Sequence, residues 1–204
     1  MLQRVGRALG VVLLLIVVPT SAAQDQAVPL GTPMPLMDQS FTSAQGEPVV
    51  LGSLRGAQGT LLLFWSNRCL WTERYQDRVR ALVAAHQDSG IRIVLVNAND
   101  ATSFEEEGAE ESARQAQALG NVAYVLDAEA DLAGALQASR TPHAFMFDGN
   151  GALVYEGTID DSPGDPDNVS AAYLQEALNA LVSGTPIGVP KTKAFGCTLK
   201  PKQG

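Results

Sequence analysis

Thr60-Leu61-Leu62-Leu63-Phe64-Trp65-Ser66-Asn67-Arg68-Cys69-Leu70-Trp71-Thr72 is the stretch whose reading decides the fold. Thr60 to Trp65 is a continuous apolar run, the pattern of a strand buried on both faces. From Leu70 to His86, apolar residues at Leu70, Trp71, Tyr75, Val79, Leu82 and Val83 have the spacing of an amphipathic helix. Ile91 to Val96 is a second apolar run. Strand, helix, strand with short connections predicts a right-handed crossover unit of a parallel sheet. Cys69 thus falls where a buried strand hands over to a helix.

Working outward, Ser103 and Glu106 form a capping-box pattern, and the acids of Glu105 to Glu111 suit the positive end of a helix. A long acidic helix with a solvated face is predicted there. Val122 to Leu126 reads as a third strand and Leu132 to Leu136 as a short helix. Thr141-Pro142 then opens a strand, His143 to Phe147, which Asp148-Gly149-Asn150-Gly151 joins to Leu153-Val154-Tyr155 as a hairpin. A last amphipathic helix spans Ser170 to Val182. Upstream, Gln24 to Pro35 is an extended lead-in, and the turn Gln45-Gly46-Glu47 precedes a short strand, Pro48 to Leu51. The order predicts an α/β chain: a central mixed β-sheet flanked by helices, with an N-terminal β extension. Residues 24–183 form the domain, and 184–204, with Pro186, Pro190, Pro201 and several lysines, an irregular tail carrying Cys197.

The N-terminus has the three parts of a secretory signal. Arg4 and Arg7 make a basic start, Ala8 to Val18 an apolar run, and Ser21-Ala22-Ala23 a small-residue cleavage site after Ala23. A membrane anchor is the competing reading, but a spanning helix needs about 20 apolar residues and this run stops at Pro19. Residues 1–23 are therefore expected to be removed on export, to the periplasm or to the medium, with no stable membrane insertion afterwards. Losing Arg4 and Arg7 takes the net charge from −8 to −10. So acidic a body disfavours nucleic acid and anionic membranes as partners.

Chemistry concentrates at one place. At a helix start, orphan backbone N–H groups and the helix dipole favour negative charge, and a thiolate is the reactive form of cysteine. Arg68 and Arg74 add positive charge nearby. Cys197 is the second cysteine of the chain. The stretch from Val182 to Cys197 extends to roughly 50 Å, against about 30–40 Å for the width of such a domain. Reach is no objection to pairing, and three states stay open: a resolving cysteine, a structural disulfide, or two thiols that never meet. His86 and His143 are isolated, which argues against zinc. The acids Asp160, Asp161, Asp165 and Asp167 match no calcium cage. No metal or cofactor is expected.

The motifs Phe64 to Thr72, Asn97-Ala98-Asn99-Asp100, Thr141 to Asp148 and Gly157 to Ser162 resemble the thioredoxin superfamily. More narrowly they resemble the peroxiredoxin-like exported proteins (redoxin, AhpC/TSA-related). The tail segment Phe195-Gly196-Cys197-Thr198-Leu199-Lys200 is similar to the ending of that group. The resemblance covers about residues 31 to 200 and implies a thioredoxin-like fold, a cis Thr141–Pro142 loop against Cys69, and a substrate lying along that loop near Trp71. Two departures limit what it implies about activity. Thioredoxins have Cys-x-x-Cys, whereas Cys69-Leu70-Trp71-Thr72 keeps only the attacking half. Peroxiredoxins place Thr or Ser three residues before the peroxide-reducing cysteine, whereas here Cys69 and Thr72 stand in the reverse order. Thr72 remains a candidate to hydrogen-bond the Cys69 thiolate.

Two functions compete. One is a thiol–disulfide oxidoreductase or antioxidant acting on protein thiols and disulfides, small thiols or peroxides, with Cys69 attacking and Cys197 or an external thiol resolving. The other is a non-catalytic binding or scaffold domain that kept the fold after losing the second thiol at Thr72.

Overall fold

In the computed structural model, which describes residues 28–202, the chain begins with the strands β1 (Ser40–Ser43), β2 (Pro48–Val50) and β3 (Gly59–Phe64). Helix α1 (Leu70–His86), strand β4 (Ile91–Asn97), helix α2 (Ala109–Ala118), strand β5 (Ala123–Leu126) and helix α3 (Asp131–Ala135) follow. Then come β6 (Arg140–Thr141), β7 (His143–Asp148), β8 (Leu153–Gly157), α4 (Tyr173–Ser183) and β9 (Cys197–Thr198). The leader expected at residues 1–23 lies outside the described residues.

Seven strands form one sheet in the order β2-β1-β5-β4-β3-β7-β8. β3, β4 and β5 run parallel, while β7 joins β3 and β1 joins β5 antiparallel. The sheet is mixed and flanked by helices, as the order of apolar runs predicts. Because side chains alternate across a strand, the single apolar run of β3 serves two cores. Leu61 and Leu63 face one side, with Tyr75, Val79 and Leu82 of α1 and Leu174 and Leu178 of α4. Leu62 and Phe64 face the other, with Leu132 of α3 and Phe41 of β1. Both faces being covered, β3 is apolar on both from Leu61 to Phe64, and a strand so enclosed holds its C-terminal end in place.

The acidic helix is shorter than predicted, and its acids are not all solvated. Ser103 donates to Asp100 rather than capping a helix. Glu105–Glu107 form a separate 3-10 turn, extended backbone at Gly108 interrupts the path, and α2 starts only at Ala109. Glu107 is buried, because its carboxylate is needed beneath the loop that leads to Cys69. The tail, predicted to be irregular, gains a short strand: β9 pairs antiparallel with β6, outside the main sheet.

The loop after β8 is held to α1 by Asp160. Its carboxylate accepts from the Tyr75 hydroxyl at 2.8 Å and from Arg78 at 2.6 Å, and the same guanidinium donates to the carbonyls of Ser162 and Pro163. Removing one partner of a buried ion pair strands the other charge. Arg78→Met is therefore expected to cost about 3 kcal/mol in urea unfolding. Arg114→Met, which breaks an exposed pair with Glu110 and Glu111, should cost less than about 1 kcal/mol.

Candidate active site at the start of helix α1

The buried strand β3 ends at Phe64, and five residues later Cys69 occupies the N-cap of α1, with extended backbone at φ −77°, ψ 123°. The intervening loop is fixed from below by Glu107. Its carboxylate accepts from Ser66 Oγ at 2.5 Å, from the Asn67 amide nitrogen at 2.9 Å and from Asn97 Nδ2 at 2.8 Å. The Asn67 side chain donates to the Glu106 carbonyl and to Ser112 Oγ and accepts from the Tyr124 hydroxyl. A buried carboxylate satisfied by several donors is a fixed anchor. It aims the loop so that Cys69 arrives at the helix start. Burial holds the Tyr124 phenol above its usual range, so the hydroxyl stays a donor.

Cys69 is buried, and its Sγ lies 3.2 Å from the carbonyl oxygen of Thr141. The Thr141–Pro142 peptide bond is cis. Cys69 is joined to Cys197 by a disulfide with a Cα–Cα distance of 5.9 Å, within the usual range. The structure thus brings together Cys69, Cys197, Thr141 and Pro142, and of the three states left open by the sequence it removes the one in which the thiols never meet.

Thr72 is placed differently from the expectation. Its hydroxyl points to main-chain carbonyls, 2.6 Å from Ser66 O and 2.7 Å from Cys69 O, instead of the sulfur. A hydroxyl in the first turn of a helix has carbonyls of the preceding loop within reach, and here it ties the loop to α1. The Trp71 ring packs edge-on against Phe195 at 4.8 Å, two residues before Cys197, with the Arg74 guanidinium 5.2 Å from its centre. Arg68 turns away to Glu106 and to the Phe104 ring.

The tail is held by more than the disulfide. Thr141 pairs with Cys197 and Arg140 with Thr198. The Leu199 amide donates to the Ser139 carbonyl, the Lys200 amide donates to Asn99 Oδ1, and the Lys200 carbonyl accepts from the Asp100 amide. Upstream, the Glu156 amide donates to the Pro190 carbonyl and Thr192 returns a bond to Glu156. Lys191 Nζ sits 2.9 Å from Glu156 Oε2, and Glu156 Oε1 lies 3.8 Å from Nε2 of the buried His143. Among the described residues, neither ring nitrogen of His143 has a hydrogen-bond partner. Burial, and then the Lys191 charge, lower its pKa to about 4.

Sequence reasoning missed Glu107, His143 and the tail contacts. Glu107 sits in a run of acids that all look solvated. The tail carried a signal, since Phe195, Cys197 and Leu199 alternate as one face of a strand does.

The family model described as the AhpC/TSA family matches residues 30–156. A hypothetical protein from Sinorhizobium meliloti is 30% identical, with 88% of this chain and 98% of that chain covered at a TM-score of 0.79. An uncharacterized conserved protein from Geobacillus kaustophilus is 29% identical, with 86% and 94% covered, also at 0.79. A secreted disulfide oxidoreductase from Mycobacterium tuberculosis, homologous to E. coli DsbE, is 17% identical, with 72% and 96% covered and a TM-score of 0.51. That last likeness shows the fold alone. No curated protein matches.

The His143 environment yields a pH dependence. Unfolded, the imidazole takes its proton near pH 6.5; folded, it waits until about pH 4. Between those values the unfolded state binds more protons, so stability falls as pH drops from 6.5 to 4 and levels off below. The loss is up to about 3 kcal/mol. Comparing urea midpoints at pH 7 and pH 4.5 should show a smaller acid loss in His143→Gln than in the unsubstituted protein.

Proposed function

This chain belongs to the AhpC/TSA family, and from that premise we propose that it is a thiol–disulfide oxidoreductase whose redox-active pair is Cys69 and Cys197. The observation that carries the proposal is the position of the disulfide: one cysteine occupies the N-cap position of a helix, and the other is half-buried on a tail seated along the cis-proline loop. A plain staple for the tail would have no need of the helix start, where a departing Cys69 thiolate is stabilised by unpaired N–H groups.

In the reduced protein the Cys69 thiolate attacks a substrate disulfide. A bond forms between Cys69 and one substrate sulfur, and the other substrate sulfur leaves as a thiolate. The Cys197 thiolate then attacks Cys69 Sγ, releasing the second substrate thiolate and closing Cys69–Cys197. Two electrons pass to the substrate, and an external dithiol restores the pair. Cys197 supplies the resolving sulfur that Thr72 lacks, leaving Thr72 a structural part in the loop. Thr141 presents main-chain groups beside the reacting sulfur, and Trp71 lies next to the segment that brings Cys197 in. Protein thiols and disulfides are the proposed partners, and peroxide reduction is no part of the proposal, since the Thr and Cys positions of a peroxiredoxin are reversed here.

The scaffold alternative draws on the burial of Cys69 and on Thr72. The two separate in peptide maps taken without reduction. The Cys69–Cys197 linkage is expected to open with one equivalent of a dithiol reductant and to re-form on adding a disulfide substrate. Cys197→Ser should accumulate a mixed disulfide on Cys69, and Cys69→Ser should lose turnover altogether. A linkage that stays closed under the reductant would make the pair a staple and the domain a scaffold.

We also propose export through the leader at residues 1–23, to the periplasm or beyond. An oxidising compartment suits a protein whose two cysteines are joined in a disulfide, and among the described residues no helix is long and apolar enough to cross a membrane. Sequencing the N-terminus of the protein recovered from the periplasm should give Gln24 first; a retained Met1 would argue for a cytoplasmic or anchored protein.

A further inference from the structure

If Cys69 is the attacking thiol, as proposed above, then its substrate groove is already filled in the oxidised chain, and what fills it describes what the groove accepts. Three contacts define the occupant. Two residues before Cys197, Phe195 lays its ring edge-on against Trp71 at 4.8 Å, although nearly half of its surface is exposed. One residue before, Gly196 has φ 148°, and a Cβ there would overlap the Thr141 carbonyl. Two residues after, Leu199 is buried in the core on the α3 side of the sheet, its amide bonded to the Ser139 carbonyl. Between them Cys197 and Thr198 pair with Thr141 and Arg140 as a strand.

This is how a cleft reads a strand added to an edge: main-chain bonds supply the affinity, and alternate side chains supply the selectivity. An exposed aromatic held against a tryptophan does little for the core. It does contribute orientation for the sulfur two residues away. Gly196 is equally specific, because only a residue without Cβ lets the chain pass the Thr141 carbonyl at this φ.

We propose that residues Phe195–Leu199 are a built-in substrate stand-in, and that the Cys69 cleft selects extended cysteine-bearing peptides with an aromatic residue two before the cysteine, glycine one before, and a leucine-like residue two after. The tail must leave the edge of β6 before such a peptide can enter, so the tail also competes with every external substrate.

The test uses the full chain carrying Cys197→Ser, in which Cys69 is free and the tail is still present. The probe is the peptide Ala-Phe-Gly-Cys-Thr-Leu-Lys with its cysteine in disulfide linkage to thionitrobenzoate. The Cys69 thiolate attacks the peptide sulfur, a Cys69–peptide disulfide forms, and thionitrobenzoate leaves as a coloured thiolate; the mass of the adduct verifies which sulfur was attacked. The peptide is expected to react at least about tenfold faster than the glutathione derivative. Alanine in place of its phenylalanine or leucine should slow it about three- to tenfold, the factor that a lost aromatic or apolar contact is worth. Alanine in place of its glycine should slow it more than either. Adding Phe195→Ala to the protein, an exposed change that spares the core, should speed the parent peptide several-fold by loosening the competing tail.

Equal rates for all peptides and glutathione, with Cys69 reacting, would overturn the selectivity while leaving the redox function intact. An unchanged rate with Phe195→Ala would overturn the competition. Failure of Cys69 to react with any of these probes would overturn both the substrate inference and the redox function on which it rests.

Discussion

The antiparallel register that sets Cys197 opposite Thr141 is the constraint on which the rest of the site depends. The two cysteines are 128 residues apart in sequence, and only a docked tail can hold one sulfur over the other. Short as it is, the β6–β9 ladder does this with help on both sides: the Leu199 and Lys200 main-chain bonds beyond it and the Glu156 bonds to Pro190 and Thr192 before it. In the chain-entropy model a loop this long makes the closed disulfide worth about 5 kcal/mol. Opening it therefore leaves the tail dependent on these non-covalent contacts.

Cys69 is the fixed side of the pair. β3 is enclosed on both faces, Glu107 grips the loop that follows it, and Thr72 ties that loop to the first turn of α1. The result is a division of labour between a sulfur fixed at a helix start and a partner sulfur brought in by the docked tail. In a Cys-x-x-Cys site both sulfurs would belong to the rigid part; here Thr72 has taken up a structural position, and the second sulfur is supplied from 128 residues away.

Much of this architecture was legible in local pattern. The apolar run at residues 60–65, the helical spacing of Leu70 to His86 and the hairpin at residues 148–151 are short-range signals, and they put the strand-to-helix junction and Cys69 in their places. What escaped was set by tertiary contact. Glu107 reads as one acid in a solvated run, and only the approach of Ser66, Asn67 and Asn97 makes it a buried anchor. The Ser103–Glu106 pattern failed because Asp100 takes the serine hydroxyl first. The pairing of the cysteines depends on where a tail with three prolines turns back, and no local periodicity encodes that. The segment that docks, Phe195 to Lys200, was singled out only by its resemblance to the ending of the peroxiredoxin-like group.

The central claim is that Cys69–Cys197 is a working redox couple, and its reduction potential addresses that claim most directly. The full chain would be equilibrated in dithiol redox buffers of known potential and the free cysteines counted by alkylation and mass spectrometry. A stabilised Cys69 thiolate at the helix start and a half-buried Cys197 predict a midpoint above about −300 mV, among the catalytic disulfides. A midpoint below about −300 mV, in the range of structural disulfides, would contradict the account and leave the linkage as a fastening for the tail.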